Sequence, residues 1–226
     1  MIWQILKNPQ AGIAMMAMLV LAISFHEMAH AWMALRRGDD TAARMGRLTL
    51  NPAVHFDPMG ILFIMVATIG WGRPVPVNPL NLHDVRRDSM FIALAGPVSN
   101  ILQALVLALL YRLLTIASVE NAILNLPSGE SILIACFLVT QYGVLINLAL
   151  AFFNLIPLFP LDGEKILGGI LPSEQAIKLE EFRQHSMMIL FMLLAMGLIF
   201  GVSIIGFYFD IVVMPLTKLF LGFSLF

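Results

Sequence analysis

Residues 11–35 read AGIAMMAMLVLAISFHEMAHAWMAL, and Glu27 is the only formal charge among them. A helix needs about 20 apolar residues to cross the hydrocarbon core of a bilayer, and this stretch is long enough. A carboxylate at membrane depth is energetically costly unless it has a partner. The stretch therefore predicts a membrane-spanning helix that carries polar side chains for a chemical reason.

The polar side chains of this stretch follow the pattern H-E-x-x-H, formed by His26, Glu27 and His30. Residues four apart lie on one face of a helix, so both imidazoles can point toward a single ion. Glu27 projects about 100° away from His26, which suits a group that acts on a water molecule at the metal. The pattern predicts a zinc hydrolase. The alternative is that both histidines hydrogen-bond backbone carbonyls or a neighbouring helix.

The composition is that of a membrane protein. Of the 226 residues, 60% are hydrophobic and 12% are charged, and the formal net charge is −1. This composition predicts a lipid bilayer as the main partner and excludes the basic field on which nucleic-acid binding depends. It does not predict an oligomeric state.

Long apolar runs predict the membrane-spanning helices, and Glu27 is the one formal charge within these runs. Helices are expected at about 11–35, 90–111, 131–156 and 187–209. The apolar tail 211–226 contains Pro215 and Lys218, so it is either a short fifth span or an interfacial segment. We expect one domain, 1–226, with the fold of an all-α polytopic membrane protein of four to five transmembrane helices.

The connection 36–89 is rich in arginine, glycine and proline. Because Lys and Arg are retained on the cytoplasmic side, this loop is expected to be cytoplasmic, and the metal site to lie toward that face of the cell membrane. The segments 44–50 and 74–77 look extended, and 61–69 is apolar but too short to span as a helix. We therefore expect a small extended or re-entrant β element here.

A zinc hydrolase takes three protein ligands, so a third donor is needed besides His26 and His30. Asp162 is the best-placed acidic residue, because it follows the third apolar run and a helix break at Pro157 and Pro160. The predicted topology puts it at the same membrane face as His30. Asp162 is therefore the expected third ligand.

At this point the sequence closely resembles the site-2 protease family of intramembrane zinc metalloproteases. The resemblance lies in three ordered motifs, HEMAH at 26–30, AGPVSN at 95–100 and NLIPLFPLDG at 154–163. It implies that His26, His30 and Asp162 bind one zinc ion and that Glu27 is the general base.

The resemblance also implies that Asn154 polarises the scissile carbonyl or holds its oxyanion. The implied activity is regulated intramembrane proteolysis, with a transmembrane protein or peptide as substrate. The sequence resembles the minimal subgroup of the family, which has no appended soluble domains.

Several residues keep two interpretations. Gly96 and Asn100 are interpreted as packing against the zinc-bearing helix first and as substrate contacts second. His55 and Asp57 either support a ligand imidazole or, at roughly two to one, serve turn chemistry.

Other functions also remain open at this point. A membrane zinc carrier or channel would need polar groups at successive depths, and the later spans offer little besides Gln141 and Asp210. An inactive scaffold would not need Glu27. A protease for prenylated carboxyl-terminal sequences does not suit the Leu161-Asp162-Gly163 string.

Overall fold

The structure is a computed structural model that describes residues 7–57, 60, 72–201 and 203–222, apart from the side chain of residue 198. Within these ranges the helices are α1 (Pro9–Arg36), α2 (Thr41–Arg44), α3 (Val85–Leu114), α4 (Ala117–Leu124), α5 (Gly129–Asn154), α6 (Asp162–Ile170), α7 (Ser173–Phe200) and α8 (Ile204–Leu221). Short 3₁₀ turns lie at Pro52–Val54 and Pro79–Asn81.

Four of the described helices, α1, α3, α5 and α8, are long and apolar enough to cross a membrane. Large apolar side chains such as Leu105 and Leu109 on α3 stay exposed on the protein surface. A contiguous apolar surface of this kind is stable when lipid is the solvent. The predicted all-α architecture with several spanning helices is confirmed.

Side-chain caps mark where α1 and α3 begin, and a glycine with a positive φ follows the end of α1. The Asn8 side chain accepts a hydrogen bond from the Ala11 amide at 3.1 Å, and α1 stops before Gly38, whose φ is +101°. The Asp84 carboxylate caps α3 by accepting from the amides of Arg86 and Arg87 at 3.1 and 3.0 Å. These caps satisfy amide groups that a helix end leaves without partners.

Helix α3 lies at the centre of the bundle and contacts α1, α5, α6 and α8. The main buried cluster combines small residues of α3 with larger ones of α5 and α8: Ala104, Ala108, Val144, Leu148, Val213 and Leu221. Alanines on α3 let the neighbouring helices approach closely, as is usual in membranes. In this packing α1, α3 and α5 all contact one another.

The predicted helix at 187–209 is wrong. The chain is helical only to Phe200, Gly201 adopts a left-handed φ of +69°, and a new helix begins at Ile204 after a cap from Ser203. A glycine in this conformation ends a helix at little steric cost. Residues 211–221 of the apolar tail belong to α8, which is long and apolar enough to span a membrane.

The predicted β element between the first two spans is not found in the described residues. Arg44 ends the short helix α2, and the one β contact seen is an isolated antiparallel bridge between Phe56 and Gly72. Pro74 and Pro76 lack the amide hydrogens that a strand ladder needs, which disfavours a ladder at 74–77. The apolar run 61–69 lies outside the described residues.

Candidate metal centre

The two histidines lie one turn apart on α1, and both are buried. Their ring centroids are 4.6 Å apart and the ring planes are perpendicular. His26 and His30 therefore point into the same small volume, as the four-residue spacing predicts.

Asp162 reaches this volume from a different part of the chain. Helix α5 ends at Asn154, the chain turns, and Asp162 is the first residue of α6. Its Oδ2 lies 3.2 Å from Nε2 of His26 and 3.3 Å from Nε2 of His30. The structure thus brings together the three predicted ligand residues, whose donor atoms all lie within 4.8 Å of one another.

The hydrogen bonds of the two imidazoles show which nitrogens face the centre as acceptors. Nδ1 of His26 lies 2.6 Å from Oδ1 of Asn100, and Nδ1 of His30 lies 2.7 Å from the Ile92 carbonyl oxygen. A carbonyl oxygen can only accept, so each neutral imidazole carries its proton on Nδ1. Each Nε2 then presents a lone pair toward Asp162.

Oδ2 of Asp162 is buried and has no hydrogen-bond donor among the described residues. When both imidazoles are neutral, three lone pairs converge without a proton between them, which is unfavourable unless a cation lies there. Two ligands at the usual zinc distance of about 2.0–2.1 Å lie about 3.3–3.4 Å apart in a tetrahedron. The observed separations fit that geometry, so the residues present fit a zinc ion.

Gly96 on α3 allows the backbone to pass directly beside the two imidazoles. A Cβ at this position would lie 2.5 Å from Cε1 and Nε2 of His30 and 2.6 Å from Cε1 of His26. Real atoms do not approach so closely, so only glycine fits without moving the rings. The sequence interpretation of Gly96 as a point of close packing against the histidine-bearing helix agrees with this contact.

The centre opens into a cavity of about 310 Å³. Glu27 lines it beside His26, His30 and Asp162, and a Cβ at Gly72 would lie 3.5 Å from Oε1 of Glu27. Asn154 lines the same cavity, and its Nδ2 donates to the Leu150 carbonyl at 3.0 Å. One amide hydrogen of Asn154 remains for another acceptor in the cavity.

Comparison with known proteins identifies the family. The model of peptidase family M50 matches residues 14–198. The chain belongs to this family. The predicted resemblance to site-2 proteases is therefore confirmed, and the chain is a multi-pass membrane zinc metallopeptidase. No solved structure gives a significant match.

Curated relatives carry the same kind of name. "Putative zinc metalloprotease YwhC" of Bacillus subtilis is 36% identical over 175 residues, which is 77% of each chain. "Putative zinc metalloprotease Rip2" of Mycolicibacterium smegmatis is 33% identical over 179 residues, covering 77% of this chain and 64% of that protein. The Mycobacterium tuberculosis H37Rv protein of the same name is 35% identical over 101 residues, covering 42% and 38% of the two chains.

In this M50 peptidase the segment 73–78 forms one wall of the cavity, through Pro74, Val75 and Val77. The guanidinium of Arg47 is buried and donates to the carbonyls of Arg73 and Pro74, the latter at 2.8 Å, and to that of Val54 at 2.5 Å. Side-chain hydrogen bonds thus hold this end of the segment in place of a strand ladder.

Asp39 holds the other end. Its carboxylate is fully buried and accepts from the amide of Asn78 at 2.7 Å, the side chain of Asn81 at 2.8 Å, and the amide and hydroxyl of Thr41. Burial alone would raise the pKa of the Asp39 carboxyl, but these hydrogen bonds outweigh it and hold the pKa below its usual range. The segment is therefore fixed at both ends.

The structure favours the turn interpretation of His55 and Asp57. His55 is fully buried and its Nε2 bonds the Thr49 carbonyl at 2.7 Å, while the Asp57 carboxylate accepts from the Gly60 amide at 3.1 Å. The Nδ1 atoms of His26 and His30 bond Asn100 and Ile92 instead.

Sequence reasoning missed two residues that support the site, Arg47 and Asn147. Arg47 lies in a loop that is rich in arginine, and nothing in the sequence distinguishes it as the one whose guanidinium is buried. Asn147 is buried and bonds Asn100, the partner of His26. Its signal was present, since Asn147 lies seven residues before Asn154 in an apolar run and shares its helix face.

Proposed function

We propose that His26, His30 and Asp162 bind one zinc ion and that the protein hydrolyses peptide bonds in or near transmembrane segments of other proteins. The observation that carries the proposal is the convergence of three buried side-chain atoms. Oδ2 of Asp162 lies 3.2 Å from Nε2 of His26 and 3.3 Å from Nε2 of His30. Regulated intramembrane proteolysis is the process in which such cleavage would act.

Glu27 is the general base in this proposal. Zinc at the site would lower the pKa of a bound water to about 7 and polarise the substrate carbonyl. The Glu27 carboxylate accepts the proton of the attacking water and then passes it to the departing amine. Glu27 shares the cavity with the ligand residues, which is the placement this role requires.

Asn154 supplies a hydrogen-bond donor to the oxyanion. Its Nδ2 keeps one hydrogen available after bonding the Leu150 carbonyl. A donor preorganised toward developing negative charge is typically important in acyl transfer. Because Asn154 is the last residue of α5, its side chain lies where the helix opens into the cavity.

The substrate is a membrane-spanning segment that unwinds locally. The fixed segment 73–78 suits its recognition, because Val75 and Val77 alternate with two prolines that have no amide hydrogen. Within the described residues the amides of Val75 and Val77 have no partner. An extended substrate backbone could pair with this edge by β-addition.

The site faces the cytoplasm in this proposal. His30 lies about 9 Å and His26 about 15 Å along α1 from Arg36, at 1.5 Å per residue. The loop that follows Arg36 carries most of the arginines of the chain, which are retained on the cytoplasmic side.

Cleavage of a model transmembrane substrate in liposomes tests the proposal. Wild-type protein should cut it, and Glu27→Gln should retain zinc but cut at least about 10²-fold more slowly, as expected for loss of a general base. Glu164→Gln makes the same chemical change at a buried carboxyl of α6 and should cut normally. Unimpaired cleavage by Glu27→Gln would contradict the assigned base. Zinc flux that survives Glu27→Gln, with no cleavage by wild-type protein, would favour a carrier.

A further inference from the structure

Two buried asparagines connect the histidine-bearing helix to the two helices packed around it. Oδ1 of Asn100 on α3 lies 2.6 Å from Nδ1 of His26, and Nδ2 of Asn100 donates to Oδ1 of Asn147 on α5 at 2.9 Å. Both asparagine side chains are fully buried. The chain His26, Asn100, Asn147 therefore runs through three helices without reaching solvent.

The direction of every hydrogen bond in this chain is determined. Nδ2 of Asn147 donates to the Gly143 carbonyl at 2.9 Å, so Oδ1 of Asn147 is the end that faces Asn100. Nδ2 of Asn100 donates both to that oxygen and to the Ala22 carbonyl at 3.1 Å. Its own Oδ1 is therefore left for His26. Because Oδ1 can only accept, His26 carries its proton on Nδ1 and presents the Nε2 lone pair to the metal centre.

The two ligand histidines differ in this respect. Nδ1 of His30 bonds the backbone carbonyl of Ile92, which no side-chain change removes. His26 depends on an amide that could rotate by 180° and present its NH₂ group instead. That rotation would favour the opposite tautomer, with a hydrogen on Nε2, and His26 would no longer be a ligand.

We propose that Asn100 is the positioning residue that fixes the tautomer and orientation of His26 for zinc, and that Asn147 positions Asn100. The inference rests on the proposed zinc site. Hydrogen-bond partners behind a metal-bound imidazole fix its ring and raise its donor strength, and their loss typically lowers metal affinity about 10- to 100-fold. Asn147 acts through one further bond, so its removal has the smaller effect.

Zinc affinity of the purified full-length chain in detergent, measured by competition with a chelator, tests the inference. Asn100→Leu should bind zinc about 10- to 100-fold more weakly than wild type. Asn147→Leu should lose less, and Asn147→Asp, which keeps an acceptor for the Asn100 amide, should bind more tightly than Asn147→Leu. The absorption spectrum of the Co²⁺-loaded protein should change in Asn100→Leu, because the geometry at His26 changes.

Thr140→Val is the matched control. Thr140 is a buried polar residue on the same helix as Asn147. Among the described residues its hydroxyl bonds only carbonyls of its own helix, those of Cys136 and Phe137. Its zinc affinity should equal that of wild type. Thermal unfolding of the zinc-free proteins separates a loss of folding from a loss of metal binding. If Asn100→Leu does not fold, the comparison of Asn147→Leu with Asn147→Asp decides the question.

The result that overturns the inference is a folded Asn100→Leu or Asn147→Leu protein with wild-type zinc affinity and an unchanged Co²⁺ spectrum. Equal affinity of Asn147→Leu and Asn147→Asp also overturns the role of Asn147. These results are distinguishable from a failure of the proposed zinc site. In that case the wild-type protein would bind no zinc, or His26→Ala would bind zinc with unchanged affinity.

Discussion

At the residue scale, His26, His30 and Asp162 converge on one small volume, and Asn100 lies behind His26. The convergence of the three side chains was predictable from the sequence. His26 and His30 follow from their spacing, and Asp162 follows from a helix break near the same membrane face. The bond from His26 to Asn100 depends on how α1 and α3 are rotated about their axes, which no pattern within one helix determines. The bond from Asn100 to Asn147 depends in addition on where α5 lies beside these two helices.

Gly96 gives the first prediction at this scale. Gly96→Ala should weaken zinc binding and hydrolysis together, because the new methyl group would overlap both imidazoles. Overpacking of this kind costs about 1–3 kcal/mol, equivalent to about 5- to 150-fold in zinc affinity if it falls on the site. Chelator competition and an activity assay measure the two effects.

Gly168→Ala provides the comparison for Gly96→Ala. A Cβ at Gly168 would lie 3.7 Å from Cδ2 of Leu179, an ordinary contact. This variant should bind zinc like wild type. Normal zinc binding by Gly96→Ala as well would show that the rings have room to move.

At the element scale, the three long apolar runs before residue 157 predicted α1, α3 and α5, because charge-free length alone specifies a span. The prediction of one helix over 187–209 is wrong, because Gly201, with a positive φ, divides this run. The sequence does not reveal the break, since glycine also occurs inside an apolar helix of this chain, as at Gly143. For the loop 36–89 the sequence predicts strand pairing. In the part of the loop that the structure describes, the side chains of Arg47 and Asp39 hold segment 73–78 instead.

The Asp39 carboxylate gives a pH prediction for this loop. A carboxyl whose pKa is lowered on folding adds stability that is present above its unfolded value, about 3.9, and is lost as pH falls through the folded value. The amide of Asn78 should therefore be well protected from hydrogen exchange at pH 6. Protection, corrected for intrinsic exchange, should fall only below about pH 4.

Asp39→Asn should show low protection of the Asn78 amide already at pH 6. Asp40→Asn is the neighbouring control, because Asp40 pairs with Arg44 at the protein surface and not with segment 73–78. It should exchange like wild type. Full protection in Asp39→Asn would mean that the carboxylate does not hold the segment.

At the scale of the whole molecule, the prediction concerns topology. The loop after α1 should lie in the cytoplasm and the connection between α3 and α5 outside. Met45 and Leu126 are exposed residues of these two connections. In a Cys136→Ser background, a membrane-impermeant maleimide should label Leu126→Cys in intact cells and Met45→Cys only after permeabilisation. The reverse pattern would place the metal centre at the outer face.

The zinc content of the purified full-length protein tests the central claim most directly. Wild type should carry one zinc per chain. Asp162→Ala should lose it, because the only carboxylate of the proposed ligand set is removed. Glu164→Gln, which changes a buried carboxyl two residues further along α6, should keep it. A folded Asp162→Ala protein that still carries one zinc per chain with unchanged affinity would contradict the account.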